Sequence, residues 1–337
     1  MKAIQQIAFG LESLQLTDLP TPTPAANEVL VKIEAVALNY LDVALATGTY
    51  SKELPLPRIP TSDGAGIVAA VGDKVSKWQP GDRVMIQYNQ LWQRGLATPA
   101  TNHIRTGVST PGLLAEYAVI PEYALVRTPA NLTSAEAATL PVAGVTAWTG
   151  LMSYANIQPG QTVLTQGTGG VSLFALQIAL AAGARVIATS SNPAKLEKLK
   201  QLGAHEVIDY KQHPNWHEEV SRLTNGEGVH ATLDIAGAAT IVNSVKSAGY
   251  NGFVGLVGFI AGAQLPLDLF TIVGNYIRLQ GYSVGSVQSF EALAAAVALN
   301  NIHPVIDRIF PVSEVQEAFR HMGSGNYFGK VVIDMNA

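Results

Sequence analysis

The sequence contains no cysteine and little charge. Without thiols, disulfides and thiolate zinc sites are excluded, and cytoplasmic localisation is the simplest expectation. Charged residues form 14% of the 337 residues and hydrophobic residues form 48%, whereas charged residues form ~25% of a typical soluble domain. This balance favours a large buried core and an apolar contact between subunits.

The sequence also lacks a basic surplus and a long hydrophobic run. Its net charge is −4, so the charge balance does not indicate a nucleic-acid partner. The most apolar long stretch, Val171–Ala184, is shorter than the ~20 residues that a membrane-spanning helix needs. The N-terminal segment MKAIQQIAFG alternates like a strand and lacks the apolar centre of a signal peptide. We therefore expect neither a nucleic-acid partner nor a membrane partner.

A glycine-rich turn, QGTGGVS at 166–172, is the most informative segment. It follows an apolar strand pattern and precedes a helical pattern, as in the first turn of a dinucleotide-binding βαβ unit. Gly167 would permit the tight turn, and Gly169 would let the backbone approach a pyrophosphate at the start of the helix. Ser172 replaces the third glycine, so a glycine turn without a ligand is the alternative. The expected cofactor contacts in this turn are Gly167, Thr168, Gly169, Gly170 and Val171.

The pattern of elements changes along the chain. Residues 1 to about 125 predict strands and turns, with a short helix over Asn39–Thr47 and a long loop over 88–112. From about residue 141, apolar strands alternate with amphipathic helices, which predicts a parallel sheet covered on both faces. Six candidate strands match the number in a full dinucleotide-binding fold: Thr162–Gln166, Arg185–Thr189, Glu206–Asp209, Ala231–Ala236, Phe253–Gly258 and Ile277–Ser283.

Several motifs in a fixed order resemble the medium-chain dehydrogenase/reductase superfamily over essentially the whole chain. They are DGAG at 63–66, PGDRV at 80–84, AATLPVAGVT at 137–146, the glycine turn and FGKVV at 328–332. The resemblance implies an α/β enzyme with a GroES-like β-rich substrate domain over residues 1–140 and 284–337. It further implies an inserted Rossmann domain, a doubly wound parallel sheet over residues 141–283, with the active site in the cleft between the domains.

The zinc positions of this superfamily are changed here. In the zinc alcohol dehydrogenases the metal is held by Cys, His and Cys, and the matching residues in this chain are Asn39, Ser62 and Val142. An amide, a hydroxyl and an isopropyl group do not make a zinc site, and the four-cysteine structural lobe is missing. The chain therefore resembles the zinc-free quinone oxidoreductases and enoyl-thioester reductases, and we expect no metal.

The end of the second Rossmann strand suggests the cofactor. NAD-preferring domains carry an acid about 20 residues beyond the glycines, but the segment 189–192 contains no carboxylate. The hydroxyls of Ser190 and Ser191 and the amine of Lys195 would favour a 2′-phosphate. We therefore expect NADPH as the cofactor, with NADH as the alternative. For the side chains, the alternative is that Ser190 and Ser191 are ordinary turn residues and that Lys195 is a solvated lysine. The resemblance assigns Lys195 and Tyr210 to the phosphate or the adenosine.

Further cofactor contacts follow from the fold and the resemblance. Ligands bind at the carboxyl ends of parallel strands, which nominates Ala236, Gly237, Gly258, Phe259, Ile260 and Ser283. A plain turn is the alternative for Gly258. The resemblance adds Asn39, Asp42, Thr146, Phe328, Gly329 and Lys330.

The segment from Asn39 to Tyr50 resembles the part of these reductases that lines the cleft beside the nicotinamide. Without zinc, hydrogen-bond donors must stabilise the charge that hydride transfer creates. Tyr50 matches a tyrosine that enoyl-thioester reductases use near the substrate, Tyr40 is a second phenol, and Asn39 would bind the ribose or the carboxamide. A half-buried surface aromatic is the alternative for Tyr50, and a helix cap is the alternative for Asn39. Ala44 stands where quinone oxidoreductases often carry a tyrosine, which predicts a more apolar pocket.

These observations lead to one expected function and two alternatives. We expect an NADPH-dependent, zinc-independent reductase of a small-molecule conjugated carbonyl or quinone. The alternatives are an alcohol dehydrogenase or carbonyl reductase that acts directly on C=O, and a nucleotide-binding protein with little catalysis. The last Rossmann strand would leave an open apolar edge, so we expect a homodimer.

Overall fold

A computed structural model describes residues 1–337 and divides them into two units. The split unit contains Met1–Val145 and Val284–Ala337, and the inserted unit contains Thr146–Ser283. The first division therefore falls after Val145 and not after residue 140. No helix in the structure combines the length and the apolarity that crossing a bilayer requires.

The split unit begins with antiparallel strands. Its longest strand alternates buried residues such as Val29 and Val31 with the exposed Lys32, so one face packs into the core. The elements are β1 (Lys2–Gln6), β2 (Leu14–Asp18), β3 (Glu28–Leu38), α1 (Tyr40–Ala46), β4 (Asp63–Val71), β5 (Arg83–Ile86), β6 (Tyr117–Pro121), β7 (Leu125–Arg127) and α2 (Ser134–Ala137).

The predicted loop over 88–112 contains no helix or strand, but parts of it are packed. Asn89 and Trp92 are buried, and the Trp92 indole N–H donates to the Gly95 carbonyl oxygen at 3.0 Å. An isolated bridge joins Asn89 to Arg105. These contacts hold the loop together, and two backbone bonds tie it to the rest of the split unit: the Val287 N–H donates to the Trp92 carbonyl oxygen and the Gly112 N–H to the Ile59 carbonyl oxygen, each at 2.8 Å.

The chain enters the inserted unit through a helical segment that mixes α and π turns and includes α3 (Val145–Trp148). All six predicted strands are present and pair in parallel in the order 3-2-1-4-5-6 of a Rossmann sheet. The strands are β8 (Thr162–Gln166), β9 (Arg185–Ser190), β10 (Glu206–Asp209), β11 (Val229–Asp234), β12 (Ala248–Leu256) and β13 (Arg278–Gly281). The helices are α4 (Gly170–Ala181), α5 (Pro193–Gln201), α6 (Trp216–Leu223), α7 (Ile241–Ser247) and α8 (Leu269–Gly274).

The C-terminal segment completes the split unit. It adds α9 (Val287–Leu299), β14 (Ile306–Pro311), α10 (Val315–Ser324) and β15 (Lys330–Asp334). The sheet order is β14-β15-β3-β4-β5-β7, with β6 also paired to β3. In the antiparallel pair of β15 and β3, Val331 lies opposite Leu38, so Lys330 is placed beside the residue that follows β3. This register builds the first part of the site.

Candidate functional site

Three strand ends meet in the split unit. β3 ends just before Asn39, β4 begins at Asp63 opposite Ala37, and β15 begins at Lys330. Together with Asp42 on α1 and Ser62 before β4, these residues form what we call the charged cluster: Asn39, Asp42, Ser62, Asp63 and Lys330. Its members come from three separate parts of the sequence.

The Lys330 ammonium is engaged inside this cluster. Its Nζ donates to the Leu38 carbonyl oxygen at 2.8 Å and to Asn39 Oδ1 at 2.7 Å, and lies 3.3 Å from Asp63 Oδ2. On the other side of the amide, Asn39 Nδ2 donates to Asp63 Oδ2 at 2.9 Å. This placement differs from the expected role of Lys330 as a cofactor ligand, because a buried ammonium with these three partners does not reach outward.

Asp42 supports the start of α1. Its Oδ2 accepts the Asn39 backbone N–H at 2.8 Å, and its Oδ1 accepts the Ser62 hydroxyl at 3.3 Å. A carboxylate at this position satisfies a backbone donor and suits the positive end of the helix dipole. Asp42 is therefore engaged with the helix start and with Ser62.

Burial shifts the acid–base behaviour of the cluster. Asp63 is fully buried and Lys330 is 3% exposed. Desolvation raises the pKa of Asp63 to about 7, because it outweighs the opposing effects of the Lys330 ammonium and the Asn39 amide. The same loss of water raises the pKa of Asp42 and lowers the pKa of Lys330. Asp63 Oδ1 accepts no hydrogen bond, so this carboxylate depends on its other oxygen for pairing.

The two predicted phenols lie near the cluster in sequence but in different environments. Tyr40 is the first residue of α1 and packs, partly buried, against the core of the split unit. Tyr50 follows α1, is 46% exposed and donates its backbone N–H to the Ala44 carbonyl oxygen at 3.0 Å. The side chain of Ala44 is buried. Tyr50 is thus the phenol of this segment that solvent reaches most readily.

The residues at the zinc positions do not fit zinc. Asn39 Nδ2 and Ser62 Oγ lie 3.4 Å apart, so two of the three positions are neighbours in space. Their donors are an amide and a hydroxyl, however, and the Lys330 ammonium already places a positive charge 2.7 Å from Asn39 Oδ1. Val142 lies in a π-helical turn and offers no donor. No group of three or more His, Cys, Asp and Glu residues in the chain is arranged to hold a metal ion.

In the inserted unit, the glycine turn joins β8 to α4. Gly167 has a φ of 72°, which favours glycine, and donates its N–H to the Thr189 carbonyl oxygen at 2.9 Å. Apart from each glycine and its neighbours along the chain, no protein atom lies within 4 Å of the position that a Cβ on Gly167 or Gly169 would take. This open space beside the start of a twelve-residue helix fits a pyrophosphate. Ser172 stands at the position of the third glycine. Its hydroxyl donates a hydrogen bond to the Gln166 carbonyl oxygen at 2.6 Å, which links α4 to β8.

A second buried polar group lies beside this turn. Asp234 Oδ1 accepts the Gly237 N–H at 2.7 Å and the Thr240 hydroxyl at 2.8 Å, and its Oδ2 accepts the Ser244 hydroxyl at 2.6 Å. Gln166 Nε2 donates to the same Ser244 oxygen at 2.7 Å. We call Gln166, Asp234, Gly237, Thr240 and Ser244 the hydroxyl network. It connects the end of β8 with the turn after β11, and the sequence reasoning did not find Asp234 or Gln166. An aspartate that ends a buried strand just before small residues was the available signal.

A cavity of about 420 Å³ opens between these turns in the inserted unit. Its size is in the range of small-ligand sites. It brings together the predicted residues Gly167, Tyr210 and Ala236 with Trp216, Thr240 and Asn243, which sequence reasoning missed. The cavity lies at the carboxyl ends of the parallel strands, where ligands of this fold bind.

The residues after β9 partly act as a helix cap. Asn192 Oδ1 accepts the N–H of Ala194 at 2.9 Å and caps α5, which carries Lys195 in its first turn. The buried Ser190 hydroxyl accepts the Asn192 N–H at 3.3 Å, and Ser191 is half-buried. Ser190 and Asn192 therefore have local structural roles, and the contacts of Ser190, Ser191 and Lys195 with a 2′-phosphate stay predictions.

Local packing explains several of the remaining glycines. A Cβ on Gly258 would lie 1.6 Å from the Ile235 carbonyl oxygen, so the neighbouring strand end already requires glycine there. A Cβ on Gly329, whose φ is 104°, would meet the Val305 carbonyl oxygen at 2.2 Å. These two glycines have structural reasons that are independent of a ligand.

The other predicted contacts are scattered. Phe259, Ile260 and Ser283 are exposed in loops that follow strands. Thr146 is buried, and its carbonyl oxygen accepts the Tyr282 hydroxyl at 3.1 Å. Phe328 is buried and donates its N–H to Asp307 Oδ1 at 2.9 Å. Their contacts with a cofactor stay predictions.

Comparisons with known proteins agree with this architecture. The alcohol dehydrogenase GroES-like domain family matches residues 25–130, and the zinc-binding dehydrogenase family matches residues 170–299. The chain is therefore an oxidoreductase that belongs to the medium-chain dehydrogenase/reductase superfamily.

Two curated relatives align over nearly the whole chain. The chain is 40% identical to a zinc-type alcohol dehydrogenase-like protein of Schizosaccharomyces pombe, over 97% of this chain and 96% of the relative. It is 28% identical to the quinone oxidoreductase of Homo sapiens, over 99% and 97% respectively.

Solved structures match equally widely. An NAD-dependent alcohol dehydrogenase aligns with a TM-score of 0.90 at 34% identity, over 99% of this chain and 100% of that one. A mycobacterial protein complexed with NADPH aligns with a TM-score of 0.82 at 28% identity, with the same coverage.

Proposed function

We propose that this oxidoreductase is a zinc-independent, NADPH-dependent reductase that transfers hydride to a conjugated carbonyl or a quinone. The charged cluster carries this proposal, because an amide, a hydroxyl and a buried ammonium occupy the region where zinc enzymes of the superfamily hold their metal. Charge that develops on the substrate oxygen must then be stabilised by hydrogen-bond donors. The similarity to quinone oxidoreductases supports the same reading.

The cofactor proposal rests on the inserted unit. The glycine turn would hold the pyrophosphate, and the cavity lined by Tyr210 and Ala236 would hold the adenosine half. The turn after β9 carries no carboxylate to repel a 2′-phosphate, and Lys195 follows in the first turn of α5. When bound, the nicotinamide supplies the hydride. An affinity for NADH equal to or tighter than that for NADPH would contradict the NADPH proposal.

The chain's own residues would stabilise and protonate the product. Tyr50, as the exposed phenol, donates a hydrogen bond to the developing enolate oxygen and serves as a proton source. Asn39 donates a hydrogen bond from Nδ2 to the nicotinamide riboside half of the cofactor. Ala44 carries no polar group where quinone oxidoreductases often carry a tyrosine, which supports a more apolar substrate.

One product analysis tests the function. The protein is incubated with NADPH and one α,β-unsaturated ketone, and the product is identified. A saturated ketone is the expected result, because hydride goes to the β-carbon. An allylic alcohol would show direct carbonyl reduction instead, as in the alcohol dehydrogenases to which the chain is similar. Binding of NADPH without turnover of several such substrates would support a nucleotide-binding protein.

The role of Tyr50 has a separate test. Tyr50→Phe removes only the hydroxyl, so we expect turnover to fall by about 10²-fold or more, as for a lost general acid, while the dissociation constant for NADPH stays nearly unchanged. Tyr123→Phe is the matched control, because Tyr123 is a similarly exposed tyrosine of the split unit. Unchanged turnover in Tyr50→Phe would remove Tyr50 from the mechanism.

We also propose a homodimer that pairs through β13, the last strand of the inserted sheet. An open strand edge tends to pair with another strand, and the nearby Phe270, Val273 and Tyr276 are more than half exposed. Light scattering should give twice the mass of the 35.6 kDa chain, and Phe270→Glu with Val273→Glu should reduce it. A monomer at micromolar concentration would contradict this proposal.

A further inference from the structure

Asn39 is the outermost member of the charged cluster. Asp42, Ser62, Asp63 and Lys330 are each 3% exposed or less, whereas Asn39 is only half-buried. Any molecule that binds against this part of the split unit therefore meets the cluster through Asn39. The buried charged groups can affect the binding of such a molecule mainly by setting the orientation of the Asn39 amide.

The cluster distinguishes the two ends of the Asn39 amide. Oδ1 faces the Lys330 ammonium at 2.7 Å, and Nδ2 faces the Asp63 carboxyl at 2.9 Å. The flipped amide would point its NH₂ group at the ammonium and its oxygen at the carboxyl, so both contacts would be lost. An amide has two donor hydrogens and two acceptor lone pairs. Asn39 is also the N-cap of α1, and in its capping box the amide oxygen faces the Asp42 N–H as well as Lys330. Nδ2 keeps one further donor hydrogen, because its remaining contact with Ser62 Oγ is long, at 3.4 Å.

We propose that Lys330 is a positioning residue that fixes the Asn39 amide in this one orientation for the nicotinamide riboside half of the cofactor. That half offers a carboxamide oxygen and ribose hydroxyls, which accept hydrogen bonds and so match an amide with one donor hydrogen left on Nδ2. Lys330 acts through Asn39 and does not itself touch the cofactor. The inference rests on the cofactor binding of the proposed function.

A double-mutant cycle on the full-length protein tests the inference. The variants are Lys330→Met, Asn39→Ala and the double variant, and the readouts are the dissociation constants of NADPH and of 2′,5′-ADP, which lacks the nicotinamide riboside. We expect each single change to weaken NADPH binding about tenfold, roughly the loss of one hydrogen bond. The double variant should match Asn39→Ala within about twofold, because Lys330 acts through the amide. Binding of 2′,5′-ADP should stay unchanged in all three.

Three results would overturn the inference. If the double variant weakens NADPH binding by the product of the two single effects, Lys330 acts independently of Asn39. A weakened affinity for 2′,5′-ADP would indicate general damage, and NADPH binding unchanged in Lys330→Met would show that no positioning occurs. Val331→Ala is the control, because Val331 is a buried neighbour on β15 that packs in the core; it should leave both dissociation constants unchanged.

A measurement on the unaltered protein covers the case in which Lys330→Met does not fold. Side-chain amide NMR signals of Asn39, assigned by their loss in Asn39→Ala, should show one hydrogen that exchanges slowly, the one bonded to Asp63. The signals should shift on addition of NADPH but not of 2′,5′-ADP. The exposed Asn102 is the reference for fast exchange. Exchange of both Asn39 hydrogens at the Asn102 rate, or no shift with NADPH, would overturn the inference.

The proposed reaction and the proposed role of Lys330 can be contradicted independently of each other. A wild-type protein that binds NADPH but reduces no conjugated ketone contradicts the proposed reaction and leaves the role of Lys330 testable through binding. If the protein binds NADH and not NADPH, the cycle is measured with NADH and ADP. A protein that binds no nicotinamide nucleotide overturns both.

Discussion

Asp63 and Asp234 are both buried aspartates at strand ends, but they are satisfied in opposite ways. Asp63 begins an antiparallel strand and shares one oxygen between an ammonium and an amide, while its other oxygen accepts no hydrogen bond. Asp234 ends a parallel strand and uses both oxygens to accept backbone N–H groups and hydroxyls, none of them charged. One aspartate depends on a single counter-ion and the other on several small dipoles.

This difference predicts how each group responds to change. A carboxylate that relies on one buried cation loses its compensation in a single substitution. A carboxylate with several neutral donors loses only part of its compensation when any one partner changes. The charged cluster should therefore be the more fragile of the two, and its stability should depend on pH.

Lys330→Met should have the largest effect on stability. It leaves the buried Asp42 and Asp63 without their nearest cation, and breaking a buried ion pair in this way costs about 3–5 kcal/mol. The free energy of unfolding from urea titration at pH 8 measures the loss. Lys32→Met is the control, since Lys32 is exposed on β3 and its removal should change stability by less than ~0.5 kcal/mol. Equal losses in the two variants would mean that the cluster is not charge-dependent.

Asp63→Asn should change the pH dependence of stability. The pKa of Asp63 in the folded state is about 7, above the ~3.9 of an unfolded chain. Between these values the folded state holds more protons, so this group makes stability fall as pH rises from about 4 to about 7.

The asparagine variant lacks that proton, so its stability relative to wild type should rise with pH across the same window. Asp42 is present in both proteins, and the lowered pKa of Lys330 acts toward higher pH, where it makes stability rise. Melting temperatures at half-unit pH steps measure the difference. Parallel curves for the two proteins from pH 4 to 7 would contradict the assigned shift.

Changes at Asp234 should have smaller effects that do not depend on charge. Asp234→Ala leaves buried donors unpaired and should cost about 1–3 kcal/mol. Asp234→Asn keeps one accepting oxygen, so its loss should be less than half as large. Chemical unfolding of both variants measures the ratio. A loss in Asp234→Asn as large as in Asp234→Ala would show that the charge itself matters, and the contrast with Asp63 would disappear.

The inserted unit was predictable from sequence because its signals are local. Alternating apolar strands and amphipathic helices recovered all six strands, and the glycine turn fixed the position of α4. The helix α8 was missed because it has six residues and buries none of them, so it leaves no hydrophobic periodicity. The sixth strand was predicted too long because only Arg278–Gly281 pairs with its neighbour.

The charged cluster could not be predicted in the same way. Lys330 and Asn39 are 291 residues apart, and only the register of β15 against β3 brings them together. The resemblance assigned Lys330 to the cofactor, and nothing in the sequence indicates the burial of its ammonium, which is a tertiary property. Asp63 appeared only as part of a family motif, and nothing local indicated that it would pair with Lys330.

The position of β15 near the end of the sequence has a consequence for folding during synthesis. During synthesis, Asp42 and Asp63 leave the ribosome early, while their counter-ion lies beyond the entire inserted unit. Domains tend to fold as units while the chain emerges, so the inserted unit can be complete before Lys330 exists. A nascent chain stopped before β15 would have its inserted unit finished and two acids of the split unit without their counter-ion. The charged cluster therefore forms only after β15 has emerged and paired with β3.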